Sequence, residues 1–199
     1  MSFSSLYFTT FIDEESITFD LKSHNYSLMK PIFIIAGEKG SGKTTFLLHL
    51  LAMLQKKEFK IGGFVALHNF EDDSYSIKNI ATNEEIPLMQ REVPLEQEFS
   101  SFEFSPEGVT AGSNWINELH IHLIDVVAID EIGRFELMGD LWHNGFTQLV
   151  KSQTPLIFTT KTKYVEQILK KWNIIPALVF DVSDFEHTQE AFDQMMGFL

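Results

Sequence analysis

The stretch IFIIAGEKGSGKTTFLLHLLAML, residues 32–54, decides how the rest of the chain reads. It opens as a short apolar run of β-favouring residues, passes through three glycines, and continues as a long apolar segment without Gly or Pro. That succession is the pattern of strand, loop and helix. Inside it lies Gly37-x4-Gly42-Lys43-Thr44, the spacing of a phosphate-binding P-loop in the context that motif requires. Gly37, Gly40 and Gly42 let the backbone turn tightly and bring N–H groups against phosphate oxygens, where a side chain would interfere. With Glu38, Lys39, Ser41 and Thr45 they make residues 37–45 the candidate nucleotide-binding segment. Lys43 is expected to supply a point charge to the β- and γ-phosphates, and Thr44 a hydroxyl to Mg²⁺. The following helix would aim its positive end at the same anion.

The whole chain, at 199 residues, is long enough for one domain with a sizeable core, and its apolar and charged fractions are those of a soluble globular protein. Fifteen basic residues against twenty-eight acidic give a net charge of −13. Long-range attraction to a nucleic-acid backbone or an anionic membrane is therefore not expected. The absence of cysteine excludes a disulfide framework, a thiol nucleophile and Cys-based metal sites, which suits a cytoplasmic enzyme. The N-terminus has no basic region and soon meets Asp13, Glu14 and Glu15, unlike a signal peptide. No apolar run approaches the roughly eighteen residues of a membrane span.

Residues 1–30 form an N-terminal extension in which Tyr7 to Ile12 and Ile17 to Leu21 are β-prone runs, a candidate hairpin or a tail used for contacts. Residues 31–199 read as the P-loop domain. The helix after the loop should end near Lys56-Lys57, and Ile61 to Leu67 reads as a second strand. Tyr75 to Ile80 and Glu85 to Leu88 flank Ala81-Thr82-Asn83-Glu84, the pattern of an inserted β-hairpin. Arg91 to Ser101 reads as a loop, Phe102-Glu103-Phe104 as a short strand, and Pro106-Glu107 as the start of a helix running to about His120. Further on come a helix over Leu137 to Lys151, a strand over Pro155 to Thr160, and a helix over Val165 to Lys171. A strand at Ala177 to Phe180 and a helix from Thr188 to Phe198 close the chain. Strands alternating with helices predict an α/β fold, a mainly parallel sheet with helices on both faces.

The second informative stretch is Leu123 to Glu131. A continuous apolar run suits a buried parallel strand, and carboxylates emerging at its C-terminal end stand where ligands bind in open α/β sheets. Asp130 is the candidate Mg²⁺ ligand, and Glu131 is suited to orient a water for in-line attack on the γ-phosphate. With Lys43, Glu131 is the candidate catalytic residue. Thr159 and Thr160, at the end of a later strand, either sense the γ-phosphate or face solvent. Trp115, Trp142 and the Met195-Met196 pair read as packing groups. The histidines show no metal spacing beyond His120 and His122, a poor ligand pair without partners.

The string Asp130-Glu131-Ile132-Gly133-Arg134-Phe135-Glu136-Leu137 resembles the DEIG-x-x-EL signature of the small nucleoside-triphosphatase family of thermophiles, known in animals as the cancer-related nucleoside-triphosphatase. Gly62-Gly63-Phe64 and the turn Thr82-Asn83-Glu84 are similar to that family's Gly-Gly-Phe strand and Thr-Gly-Glu turn. The resemblance covers roughly Pro31 to Asp181 and implies a RecA-like P-loop domain. The activity it implies is Mg²⁺-dependent hydrolysis of nucleoside 5′-triphosphates to diphosphates with loose base preference. Three departures stand out. Asn83 replaces the turn glycine, the last strand lacks the family's arginine, and the N-terminal extension is additional. The lost arginine leaves room for a slower enzyme or for one completed by a protein partner.

Other functions fit less well. A regulatory GTPase would follow its late strand with Asn/Thr-Lys-x-Asp, but Thr160-Lys161-Thr162-Lys163 ends on a residue of the wrong sign for guanine. A small-molecule kinase clamps two anionic substrates with several arginines, and this chain has only Arg91 and Arg134. An ATP-binding switch regulated by a partner is the remaining alternative, and turnover by the isolated protein separates it from the hydrolase.

Overall fold

Strand β1, Ile32–Ala36, is buried along its whole length, as the inner strand of a sheet covered on both faces must be. The computed structural model describes residues 30–91, 102–184 and 188–199. The hairpin expected within residues 1–30 and most of the loop after Arg91 lie outside the described residues. The strands that follow are β2 (Ile61–Asn69), β3 (Ser74–Asn79), β4 (Glu85–Arg91), β5 (Phe102–Phe104), β6 (Val126–Ile129), β7 (Leu156–Thr160) and β8 (Leu178–Asp181). They form one sheet in the order β5-β4-β3-β2-β6-β7-β1-β8. Five of them, β2, β6, β7, β1 and β8, run parallel, and β3, β4 and β5 extend the β2 edge as an antiparallel meander. The inserted hairpin is thus β3–β4 with β5 added outside it. Asn83 turns that hairpin with φ +62°, the left-handed conformation asparagine tolerates.

Alternation along the parallel strands divides the core into two. Ile32, Ile34, Val127, Ile129, Leu156 and Phe158 face one side, where they pack with Ile116, Trp142, Phe146 and Ile168. Those partners come from helices α2 (Pro106–Asn117), α4 (His143–Lys151) and α5 (Val165–Trp172), and from Trp142 at the start of α4. Phe33, Ile35, Val126, Ala128 and Ile157 face the other side, against α1 (Lys43–Lys56) and α6 (Thr188–Met196). Gly63 permits a close approach of β2 to β6: its φ is +103°, and a Cβ there would lie 2.0 Å from the Ala128 carbonyl oxygen.

Two helices differ from the sequence reading. The one expected over Leu137 to Lys151 is two, α3 (Arg134–Met138) and α4. Gly139 adopts φ +97°, its amide bonds the Glu136 carbonyl at 3.2 Å, and the Asp140 amide bonds that of Phe135 at 2.9 Å. This is the glycine stop that satisfies the last carbonyls of a helix, so the chain turns before α4 begins. Helix α2 begins where expected, with Pro106 in its first turn and the Ser105 hydroxyl accepting from the Gly108 amide at 3.2 Å. It ends at Asn117, three residues earlier than expected, and a short 3₁₀ turn at Ile121–Leu123 leads into β6.

The parallel register aligns the strand ends. Ala36 pairs with Thr160 and with Asp181, Ile129 with Phe158, and Phe64 with Ile129. The segments leaving β1, β6 and β7 therefore emerge side by side at one edge, where open α/β sheets bind ligands.

Candidate active site

Gly37 is buried at the end of β1, and Glu38 to Gly42 form an exposed turn in which the Ser41 amide donates to the Glu38 carbonyl at 3.2 Å. Gly40 and Gly42 hold φ of +77° and +91°, with no atom beyond their chain neighbours within 4 Å of where a Cβ would stand. The loop thus keeps its backbone exposed around open space. Gly42 also caps α1 without a side chain, and the first turn carries no acidic residue. No carboxylate of that turn occupies the positive end of the helix, which is the condition for receiving an anion. Lys43 is buried, at 6% exposure, and folds back over the loop to donate from Nζ to the Glu38 carbonyl at 2.9 Å. Thr44 is half-buried and Thr45 exposed.

Asp130 meets the loop directly. Its Oδ2 accepts from Thr44 Oγ1 at 2.8 Å and from the Ala66 amide at 3.2 Å, and its Oδ1 accepts from the Thr159 hydroxyl. Burial raises the Asp130 carboxyl above its ordinary pKa, while the hydrogen bonds from Thr159, Thr44 and Ala66, and then the charge of Lys43, oppose the rise. Glu131 follows through a cis peptide bond. Its Oε2 lies 3.8 Å from Lys43 Nζ and its Oε1 3.8 Å from Lys161 Nζ. Burial raises this carboxyl too, Lys161 and Lys43 oppose it, and neighbouring Asp130 adds to it. Among the described residues no three or more His, Cys, Asp or Glu side chains converge as a metal cage. The oxygen pair Thr44–Asp130 is the convergence of hard donors found here.

The structure therefore brings Lys43, Thr44, Asp130 and Glu131 together, with Gly37 to Gly42 wrapped beside them and Thr45 turned outward. Thr159 and Thr160 are both fully buried, which overturns the solvent-facing reading of this strand end. The Thr160 hydroxyl has no hydrogen-bond partner among the described residues, a buried polar atom beside the P-loop. Sequence reasoning missed Lys161, whose only local signal was its place directly after a central strand. It also gave no separate role to Glu136. That side chain is buried and accepts the Gly133 amide at 2.8 Å, the glutamate half of a capping box, so it fixes the turn leaving Glu131. Arg134 opens α3 and is exposed. His120 and His122 stand with their rings 6.0 Å apart.

A glycine loop between β1 and α1, joined through Thr44 to an acid pair directly after β6, with a single strand between β1 and β6, defines the class: a P-loop nucleoside-triphosphatase of the RecA-like α/β type. A family model described as NTPase matches residues 32–189. The chain belongs to that NTPase family. Over 129 residues it is 32% identical to the nucleoside-triphosphatase THEP1 of Saccharolobus solfataricus, covering 62% of this chain and 71% of that protein. Over 136 residues it is 28% identical to the THEP1 of Sulfolobus acidocaldarius, covering 64% and 76%. Two solved structures share the fold at 18% identity. They are a human cancer-related nucleoside triphosphatase, with a TM-score of 0.61 over 84% of this chain and 96% of that one, and THEP1 from the hyperthermophile Aquifex aeolicus, with 0.51 over 76% and 89%.

Proposed function

We propose that this protein hydrolyses nucleoside 5′-triphosphates to diphosphate and phosphate with Mg²⁺ and loose base preference, in the cytoplasm, and that residues 31–199 carry the activity. The observation that carries the reading is the 2.8 Å hydrogen bond between Thr44 and Asp130, which fastens the phosphate loop to the acid pair. Residues Gly37 to Thr45 would wrap the phosphates with backbone N–H groups. Lys43, now on the Glu38 carbonyl and near Glu131, would turn its ammonium to the β- and γ-oxygens.

Thr44 and Asp130 offer two oxygens of the kind Mg²⁺ takes, and a cation held by one carboxylate, one hydroxyl, phosphates and water needs no larger protein cage. Mg²⁺ supplies charge neutralisation of the phosphates when bound. Glu131 would orient the attacking water and accept its proton as the water oxygen bonds to the γ-phosphorus and the diphosphate leaves.

Among the described residues no helix is long and apolar enough to cross a membrane. A phosphate-release screen against ATP, GTP, CTP, UTP and their deoxy forms, with Mg²⁺ and with chelator, tests the reading. Release from several nucleotides that chelator abolishes is expected. No release from any of them would remove the proposal.

A further inference from the structure

The two carboxylate oxygens of Glu131 face two different lysines at equal distance, Lys43 on Oε2 and Lys161 on Oε1, each at 3.8 Å. The lysines are not equivalent. Lys43 is buried, belongs to the phosphate loop and shares its ammonium with the Glu38 carbonyl. Lys161 is part-exposed and is the first residue after β7, the strand hydrogen-bonded between β1 and β6. Since Thr160 pairs with Ala36 at the root of the loop and Phe158 with Ile129 at the root of the acid pair, the backbone itself sets Lys161 at the seam between them.

A triphosphate in the loop competes for Lys43, because phosphate oxygens carry more charge than one carboxylate. It also repels Glu131, which already stands beside Asp130. A carboxylate left with neither lysine would swing towards water and away from the γ-phosphate. We infer that Lys161 is a positioning residue for hydrolysis: it holds Glu131 through Oε1 when phosphates claim Lys43, so the water-orienting carboxylate stays in place without a cation from a partner. The inference rests on the role proposed above for Glu131. It also bears on the scarcity of arginine, since only two occur in the sequence.

Single-turnover hydrolysis of Mg-ATP and equilibrium ATP binding, measured on the full chain, test this in wild type, Lys161→Ala, Lys161→Arg, Glu131→Gln and the double variant Lys161→Ala/Glu131→Gln. Lys161→Ala should lower the single-turnover rate about 10- to 100-fold while changing the ATP dissociation constant less than about threefold. Lys161→Arg should recover most of the rate. In the Glu131→Gln background the same alanine substitution should change the rate by less than about twofold, because residues acting as a unit are non-additive. Lys161→Met, which keeps the stem, replaces the alanine variant if that chain does not fold. Equal fold-losses in both backgrounds, or a wild-type rate for the neutral variant, would overturn the inference while leaving the hydrolase reading intact. A wild type that binds ATP without hydrolysing it would overturn both.

Discussion

Thr44 Oγ1 and Asp130 Oδ2 lie 2.8 Å apart although 86 residues separate them, and the contact ties the first turn of α1 to the end of β6. Both oxygens belong to the proposed Mg²⁺ site. Asp130→Asn keeps the shape of the side chain and removes its charge, so the Mg²⁺ concentration giving half-maximal turnover should rise by roughly tenfold or more. A Mg²⁺ titration of steady-state rate measures this. An unchanged midpoint would remove Asp130 from the metal site.

Lys43 directs its ammonium within the loop and to Glu131, and it belongs to neither of the two apolar clusters that flank the sheet. Lys43→Ala should therefore weaken triphosphate binding by about 10- to 100-fold, the worth of a charge-assisted phosphate contact, with little change in thermal unfolding. Calorimetric titration with ATP decides it, and equal affinities for wild type and variant would contradict the loop's proposed role.

Glu136 supplies a pH dependence of stability. Burial pushes its carboxyl from 4.5 up to about 7, against the opposing hydrogen bond from the Gly133 amide. The folded chain thus holds this proton more tightly than the unfolded chain. Its contribution to stability is present below the unfolded value and is lost as pH rises through the folded one, a loss of the order of 3 kcal/mol. Glu136→Gln preserves an acceptor for Gly133 and abolishes the titration. Between about pH 5 and pH 8 wild type should lose stability relative to this variant, as followed by denaturant unfolding. Parallel pH profiles for the two proteins would contradict the buried, proton-retaining carboxyl.

Gly63 carries a packing constraint rather than a chemical one. With φ at +103° and the Ala128 carbonyl oxygen 2.0 Å from where a methyl group would stand, Gly63→Ala must separate β2 from β6 or twist the backbone. A loss of about 3 kcal/mol or more is expected in chemical denaturation. A change below about 1 kcal/mol would mean the strands yield easily.

The strand, glycine loop and helix from Ile32 to Lys56 were legible in the sequence because their physics is local: three glycines, a lysine and a threonine act within one turn of chain. The same holds for the apolar runs that make β1, β6 and β7 buried strands. The single helix expected from Leu137 to Lys151 ran through Gly139, because a glycine within an apolar pattern does not by itself end a helix, whereas its φ of +97° in the fold does. Thr159 and Thr160 look like the polar end of a strand, yet the apolar run before them belongs to a central strand whose end is covered, so both are buried. Lys161 stands in a polar string, and its partner Glu131 follows another strand. Only the order β6-β7-β1 brings the two together. Long-range pairings of this kind follow from sheet order, which local patterning alone does not specify.

The central claim is that the isolated chain is a working hydrolase using Glu131. Single-turnover phosphate release from Mg-ATP by wild type and Glu131→Gln, with binding measured alongside, tests it most directly. Wild type should release phosphate without a partner, at about one per second or slower given the scarcity of arginine. Glu131→Gln should bind ATP as tightly and hydrolyse it roughly 10²- to 10⁴-fold more slowly. Equal rates for the two proteins, or tight binding with no release by wild type over hours, would contradict it.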